Sequence, residues 1–227
     1  MTIQKLSELP DNLFVTGTDT EVGKTYCTSL LLKYFQEELN ETVFPFKPIS
    51  AGVEDDLIVS GKMVNADAFE LWQACNKTFS IEQINPVVFQ QPIAPHIAAE
   101  YENQPLNVQL LDGEYGKTPE AQRCLIEGAG GWLLPLNDQE LLSQWVAKHE
   151  LPVVLVVGIK LGCLNHALLT AQAIDQSGCN LVGWVANFIE GETLTGRKNF
   201  EYIDSQLNKH YDAPCLFEVQ QGQTSII

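Results

Sequence analysis

The segment GTDTEVGKT, residues 17–25, has the residue types and spacing of a loop that binds nucleotide phosphates. A glycine before a helix lets backbone N–H groups approach phosphate oxygens, and the helix N-terminus adds positive potential. Lys24 can reach the β- and γ-phosphates, and the Thr25 hydroxyl can bind Mg²⁺. The common loop of this type has a glycine where this chain has Thr18, and Gly17 lies one position earlier. The loop is therefore one residue longer than the common form.

Polar and charged side chains accompany this loop. Asp19 is typical of an Asx turn or a cap, whereas Thr20 and Glu21 are expected to point into a site that the loop surrounds. Lys47 ends a predicted strand, which Pro48 stops, and would bring a second positive charge to the phosphates. Taken alone, such a lysine would more often be a surface residue whose stem lies on apolar neighbours, but its position near the loop favours the phosphates.

Two carboxylates are candidates for a magnesium site. Asp67 opens a predicted helix, where it would also complement the helix dipole, and Glu127 follows an apolar strand, where burial without a partner is costly. Because Mg²⁺ prefers oxygen ligands, Thr25, Asp67 and Glu127 suffice for it together with nucleotide phosphates. The next residues would present backbone N–H groups to a ligand or form only a turn. They are Gly128, Ala129, Gly130 and Gly131.

Short β-rich runs alternate with helical patterns, which predicts one α/β domain over residues 1–227: a doubly wound, mostly parallel sheet with helices on both faces, like a P-loop NTPase. The β-branched run 153–157 suits a central strand. Ligands of such sheets bind beyond the carboxyl ends of the strands, where the candidates lie. Residues 103–123 are expected to be irregular, with a turn at Asp112-Gly113 and at most one short helix. The predicted strands are 13–16, 42–46, 86–89, 124–126, 152–157, 181–186 and 214–217, and the predicted helices are 24–39, 66–75, 141–149, 165–177 and 199–210.

Composition excludes several classes of partner. The 227 residues include 29 acidic and 13 basic side chains, a formal net charge of -16. Nucleic acids and anionic membranes both require a basic face, so neither is an expected partner. The longest apolar run, 151–159, is far shorter than the roughly 20 residues of a spanning helix, and the first residues do not resemble a signal peptide.

The six cysteines form no CxxC pair, and most lie in apolar segments. They are expected to be small buried hydrophobic residues, so a reducing compartment, the cytoplasm, is predicted. The four histidines share no metal-ligand spacing, and no arrangement typical of nucleophilic catalysis stands out.

The loop GTDTEVGKT, with its extra residue, resembles the fingerprint loop of dethiobiotin synthetases. The resemblance covers most of residues 12–205 in order, and the loop together with GCLNHA is highly specific. The further matching segments are KP at 47–48, NADA at 65–68, PHI at 95–97, EGAGGW at 127–132, VGIKLGCLNHA at 157–167 and GWVAN at 183–187.

The resemblance implies an ATP-dependent cyclo-ligase of biotin biosynthesis. Members convert 7,8-diaminononanoate, carbon dioxide and ATP to dethiobiotin, ADP and phosphate, through a carbamate and a carbamic-phosphoric anhydride. The resemblance further implies Mg²⁺, ATP as cosubstrate, and a homodimer with the substrate at the interface. Lys24 and Lys47 would act on the carbamate and the transferred phosphoryl group, and Thr20 would orient oxygens.

The same resemblance assigns the binding residues. Asn187 would contact adenine. Asn165 would contact the amine and carboxylate end of the substrate, although it could equally cap a helix. Tyr202 would bind the distal carboxylate or be a packing residue. The full set for ATP is Glu21, Val22, Gly23, Lys24, Thr25, Tyr26, Asp67, Glu127, Gly128, Ala129, Gly130 and Asn187.

Two positions depart from the family pattern. The family has a hydroxyl residue four positions after the second lysine, where this chain has Ala51, with Ser50 one position earlier. Both are retained as candidates for substrate binding. The family often has a Gly-x-Ile-Pro turn after the last strand that helps enclose adenine, and this chain has 217–220, FEVQ, there.

Two alternatives remain at this stage. A nucleotide-switch ATPase similar to the ParA/MinD group would have a signature lysine where this chain has Asp19, Thr20 and Glu21. An amide-forming ligase acting on a cobalamin-type precursor usually carries an amidotransferase domain, for which 227 residues leave no room.

Overall fold

The computed structural model describes residues 6–226, and its centre is a sheet of six parallel strands. The strand order is β10-β9-β8-β1-β7-β2. The strands are β1 (Asn12–Gly17), β2 (Val43–Phe46), β3 (Ile49–Ala51), β4 (Glu54–Val59), β5 (Lys62–Val64), β6 (Val87–Phe89), β7 (Arg123–Gly131), β8 (Val153–Gly158), β9 (Leu181–Asn187) and β10 (Cys215–Val219). The helices are α1 (Lys24–Glu37), α2 (Ala66–Ala74), α3 (Ile81–Ile84), α4 (Pro95–Tyr101), α5 (Val108–Tyr115), α6 (Leu142–Lys148), α7 (Cys163–Gln176) and α8 (Leu194–Tyr211).

The apolar runs of the sequence form the middle of the sheet. Every residue of β8 is buried, and β1 lies between β8 and β7 with only its first residue exposed. Parallel strands need helical crossovers, which cover the sheet and account for these uninterrupted apolar runs. The parallel α/β prediction and each predicted strand are confirmed. The carboxyl ends of β1, β2 and β7 therefore meet at one edge.

Residues 49–64 contain three strands that the sequence did not predict. β3 pairs in parallel with β6, and β4 pairs with β5 as an antiparallel hairpin outside the central sheet. The hairpin turns at Ser60 and Gly61, both with positive φ, as a two-residue hairpin turn requires. β4 begins with three exposed acidic residues and β5 has only three residues, so neither has the apolar alternation that marks a strand.

The predicted turn at Asp112-Gly113 is wrong, because both residues lie inside α5, the one short helix of this segment. Asn107 caps α5 by accepting a 2.8 Å hydrogen bond from the Leu110 backbone. The Asp112 side chain is bound by Lys148 and His149 at the end of α6, with His149 Nε2 2.7 Å from Asp112 Oδ1. A contact with α6 thus keeps a turn-forming residue in a helix.

The cysteines lie mainly in the core, as predicted: all six are free, and only Cys215 is partly exposed. Burial raises the pKa of the Cys124 thiol to about 12. Among residues 6–226, no helix is both long and apolar enough to cross a membrane.

Candidate functional site

The phosphate loop connects β1 to α1, and glycines shape it. Gly23 caps α1 with φ of 83°, a left-handed conformation that favours glycine. A Cβ at Gly23 would lie 2.3 Å from Nδ2 of Asn187, and one at Gly17 would lie 2.7 Å from Val22. Asn187 Nδ2 donates a 2.9 Å hydrogen bond to the Val22 carbonyl, so the end of β9 supports the loop. The backbone there has room only for glycine.

Lys24 lies at the first position of α1 and is 8% exposed. Its Nζ donates a 2.9 Å hydrogen bond back to the Asp19 carbonyl, so the loop curls around the ammonium group. Asp19 Oδ1 accepts a 2.8 Å hydrogen bond from the backbone N–H of Thr20, the next residue, whereas an Asx turn would use the residue after that. Burial lowers the pKa of Lys24 below its ordinary value, against the opposing effect of Glu127.

Lys47, directly after β2, is the centre of a buried charge cluster. Its Nζ lies 2.7 Å from Glu127 Oε1 and 3.1 Å from Asp67 Oδ2. Lys47 is 2% exposed, Glu127 is fully buried, and the Asp67 side chain is 50% exposed. Burial alone would lower the pKa of Lys47, but the two carboxylates outweigh it and raise the pKa. Lys47 is therefore a buried cation held by two acids.

Thr25 joins the same cluster, because its hydroxyl donates a 2.8 Å hydrogen bond to Glu127 Oε1. The other Glu127 oxygen, Oε2, is buried without a hydrogen-bond partner. Burial would raise the pKa of Asp67, but Lys47 outweighs it and lowers the pKa. Of the three residues predicted to hold a metal, Asp67 and Glu127 thus contact the Lys47 ammonium group, and Thr25 contacts Glu127. They combine two carboxylates with a hydroxyl, and no cluster of three or more His, Cys, Asp or Glu suited to a metal occurs in residues 6–226.

A cavity of about 790 Å³ opens above this cluster. The phosphate loop, the start of α2 and the end of β7 form its walls. It includes twelve of the predicted residues: Thr20, Glu21, Gly23, Lys24, Thr25, Tyr26, Lys47, Ser50, Ala51, Asp67, Ala129 and Gly130. Glu127 lies beneath it, and Gly128 is packed against Phe14, where a Cβ would lie 2.9 Å from the ring.

The sequence did not single out three polar residues around this cavity. Asn65 caps α2, and its side chain donates a 2.8 Å hydrogen bond to the Gly52 carbonyl. Glu70, one turn after Asp67, lines the cavity. Helical spacing from Asp67 could have indicated Glu70. Asn85 is buried and binds both Ser50 and Lys47, a contact between distant segments that no local pattern signals.

Comparison with known proteins agrees with this geometry. A family model described as an AAA domain matches residues 11–220. An ATP-dependent dethiobiotin synthetase BioD of Vibrio parahaemolyticus is 41% identical over 92% of this chain and 89% of its own length. One of Pseudoalteromonas translucida is 44% identical over 86% of this chain and 85% of its own length. The chain belongs to the dethiobiotin synthetase family.

The fold of this dethiobiotin synthetase family member also occurs in a ParA family ATPase from Chlorobium tepidum. The two structures superpose with a TM-score of 0.51 over 92% of this chain and 83% of the other, at 13% sequence identity. At that identity the likeness shows the fold alone, which is the P-loop NTPase class that the sequence predicts.

Two residues that the family resemblance assigns to the substrate lie outside the cavity. Asn165 is exposed on α7 and does not cap it, because α7 begins at Cys163 and Gly162, with φ of 91°, is the cap. Because Gly162 adopts the left-handed conformation, the loop ends and the helix begins before Asn165, the residue expected from the sequence as a possible cap. Tyr202 is 49% exposed on α8. Within a single chain, neither side chain contributes to the cavity wall.

The C-terminal segment of this family member returns to the phosphate loop. The Tyr26 hydroxyl donates a hydrogen bond to the Gln223 carbonyl, and Gln223 Oε1 accepts one of 3.0 Å from the Gln220 backbone. Tyr26 also lines the cavity. The segment after β10 therefore contacts a residue of the cavity wall although it lacks the Gly-x-Ile-Pro turn.

Proposed function

We propose that this protein is an ATP-dependent dethiobiotin synthetase, a cyclo-ligase that forms dethiobiotin from 7,8-diaminononanoate, carbon dioxide and ATP. The observation that carries the proposal is that Lys24 and Lys47 line the same cavity. The reaction brings a carbamate and a triphosphate together, two anions that repel each other. Two lysines placed at one cavity offset this repulsion. Relatives that carry the name of this enzyme match the chain over most of their length.

In this proposal the phosphate loop binds ATP. Glu21, Val22, Gly23 and Tyr26 provide the backbone around the phosphates, and the N-terminus of α1 adds positive potential. Lys24 exchanges the Asp19 carbonyl, now 2.9 Å away, for phosphate oxygens. Ala129 and Gly130 also line the cavity, and Gly128 precedes them in β7.

Asn187 would recognise adenine at the end of β9. Its Nδ2 donates one of its two hydrogens to the Val22 carbonyl, which fixes the orientation of the amide and leaves Oδ1 without a hydrogen bond in the described part of the chain, able to accept from a donor on the base. Adenine has an amino group that donates, whereas guanine has a carbonyl oxygen at the same position. The fixed amide therefore supports a preference for ATP over GTP.

The residues around Lys47 fit a magnesium ion, which Thr25, Asp67 and Glu127 would hold together with ATP phosphates. The fit rests on the all-oxygen donor set and on Glu127 Oε2, which is buried without a partner. When bound, the ion supplies charge neutralisation at the phosphates. Neither carboxylate needs to act as a nucleophile.

The substrate's own groups carry the covalent steps. One amine takes up carbon dioxide as a carbamate, whose oxygen attacks the γ-phosphorus and releases ADP. The second amine then attacks the carbamic-phosphoric anhydride, closes the ureido ring and expels phosphate. Lys47 and Lys24 stabilise the anions, Thr20 orients oxygens at the rim, and Ser50 and Ala51 border the position of the diamine.

A homodimer would bring Asn165 and Tyr202 to the substrate of a partner subunit. Asn165 lies on α7 with Leu169 one turn later and Leu161 just before the helix, and these leucines are 57% and 93% exposed. Apolar side chains beside an exposed amide suit a subunit interface. We expect Leu161→Lys to yield a monomer in sedimentation, with Ile58→Lys, on the exposed hairpin, as the control. An unmodified protein that sediments as a monomer would contradict the dimer.

The activity test uses purified protein with diamine, bicarbonate and MgATP. ADP release and a ureido product seen by mass spectrometry are expected, and both depend on the diamine. Absence of both would refute the proposal, and ATPase activity stimulated by a protein but not by the diamine would instead favour a switch ATPase. The six free cysteines support a reducing compartment, the cytoplasm, which fractionation of the source cells can test.

A further inference from the structure

Asn85 holds the backbone of Lys47 at the point where β2 ends. Its Nδ2 donates a 2.7 Å hydrogen bond to the Lys47 carbonyl. The Lys47 backbone N–H donates another of 2.7 Å to the carbonyl of Ile84, the residue before Asn85. Both polar groups of the Lys47 main chain are therefore bound by the corner that ends α3. Asn85 is 4% exposed, so these bonds are shielded from water.

The orientation of the Asn85 amide is fixed by its surroundings. Nδ2 faces two carbonyls, those of Lys47 and Val87, the second at 3.4 Å. Carbonyls only accept, so the amide nitrogen must point toward them and Oδ1 must point toward Ser50. The Ser50 hydroxyl then donates its single hydrogen to Oδ1, at 2.6 Å.

Ser50 is consequently committed to this contact. It borders the cavity but is 2% exposed. The next residue of β3, Ala51, projects from the other side of the strand, as alternation in a strand requires, and is partly exposed. The strand thus directs its hydroxyl toward Asn85, while Ala51 next to it bears only a methyl group.

We infer that Asn85 is a positioning residue for Lys47, and that Ser50 serves this Asn85 contact rather than binding the diamine. The inference rests on the proposed function, in which the Lys47 ammonium acts on the carbamate and the phosphoryl group. Lys47 reaches Glu127 and Asp67 only if its main chain stays in place. A shift of about 1 Å in a catalytic group can lower turnover about 100-fold.

The test is a double-mutant cycle with Asn85→Leu, Ser50→Ala and both together. Each single variant leaves a buried polar group unpaired, so each is expected to lower kcat about 10- to 100-fold, with the KM for the diamine changed less than about 2-fold. In the Asn85→Leu background, Ser50→Ala is expected to have no further effect on kcat. Ser80→Ala, at the other end of α3, removes the cap that accepts from Gln83 and is the control for loss of stability. It is expected to leave kcat unchanged.

Other outcomes would overturn the inference. If Ser50 binds the diamine, Ser50→Ala raises the KM for the diamine, and its effect is the same in both backgrounds. The same cycle can be measured by chemical unfolding, which needs no substrate. If the two side chains are coupled, the unfolding free energy of the double variant is expected to be no lower than that of the less stable single variant. Losses of unfolding free energy that simply add would refute the contact. An unmodified protein without turnover would refute the proposed function instead, while the unfolding cycle still tests the contact. If Asn85→Leu does not fold, the KM and kcat of Ser50→Ala alone distinguish the two roles.

Discussion

Replacing Lys47 by methionine would remove the charge of a fully buried ion pair while keeping a side chain of similar length. Glu127 Oε1 now accepts from Lys47 and Thr25, and Oε2 has no partner. After the change, the only hydrogen bond left to the fully buried Glu127 carboxylate would come from the Thr25 hydroxyl. A buried charge without a partner is among the costliest defects of a fold.

The expected size follows from this burial. Removing one partner of a buried pair costs about 3–5 kcal/mol of unfolding free energy. The Asp67 side chain, 50% exposed, adds little, since exposed pairs contribute about 0–1 kcal/mol. A domain is stable by about 5–15 kcal/mol, so the loss is a large share of the total. Replacing Glu127 by methionine as well removes the stranded charge, so we expect the double variant Lys47→Met, Glu127→Met to regain most of the loss.

Urea unfolding of the unmodified protein, the single variants and the double variant measures these differences. Lys62→Met is the matched control, because Lys62 pairs with Glu82 at 3.5 Å with both side chains largely exposed. We expect that variant to change stability by less than about 1 kcal/mol. A similarly small effect of Lys47→Met, or a double variant no more stable than Lys47→Met, would refute the claim that Lys47 neutralises a buried acid.

Three further predictions concern ATP. Gly23→Ala, with φ of 83° and a Cβ 2.3 Å from Asn187, is expected to lower ATP affinity at least about 10-fold in a nucleotide titration. Unchanged affinity would mean that the loop adapts. Asn187→Ala is expected to reduce the preference for ATP over GTP, measured as the ratio of kcat/KM values, and an unchanged ratio would refute base recognition by Asn187. Burial lowers the pKa of Lys24, so its charge is lost at a lower pH than for an exposed lysine. We therefore expect kcat/KM for ATP to fall with rising pH below the ordinary lysine value of 10.5, and Lys24→Arg to lack this fall. The same alkaline limb in Lys24→Arg would assign it to another group.

The central fold could be predicted from the sequence because its signals are local. The β-branched run of β8 and the glycine before Lys24 each specify their own conformation through side-chain sterics. Ligands of α/β sheets bind beyond the carboxyl ends of the strands, and this rule predicted that Lys47 and Glu127 lie at the same edge although 80 residues separate them. The hairpin β4–β5 was missed because most of its residues are exposed, and the apolar ones that it buries, Val59 and Val64, lie at the ends of its strands and form no alternating pattern.

The partners of individual side chains could not be predicted in the same way. The sequence indicated that Glu127 needs a partner, but not that Lys47 supplies it in this arrangement. The hydrogen bond from Ser50 to Asn85 joins segments 35 residues apart, and its direction depends on two carbonyls that only the folded backbone places there. Asn165 was expected to be a possible cap because polar residues favour that position, but the left-handed Gly162 ends the loop before it.

The formal charge of -16 led us to expect no anionic macromolecule as a partner, yet the proposed ligands are anions. The two lysines that face them are not equivalent. Lys47 is bound by two carboxylates within 3.1 Å, whereas Lys24 donates to a neutral carbonyl at 2.9 Å. Exchanging a neutral carbonyl for a phosphate oxygen forms a charge-assisted hydrogen bond, while exchanging a carboxylate breaks an ion pair in a buried environment. Lys24 is therefore the cation available to an incoming triphosphate, and Lys47 becomes available only when Asp67 and Glu127 have other partners.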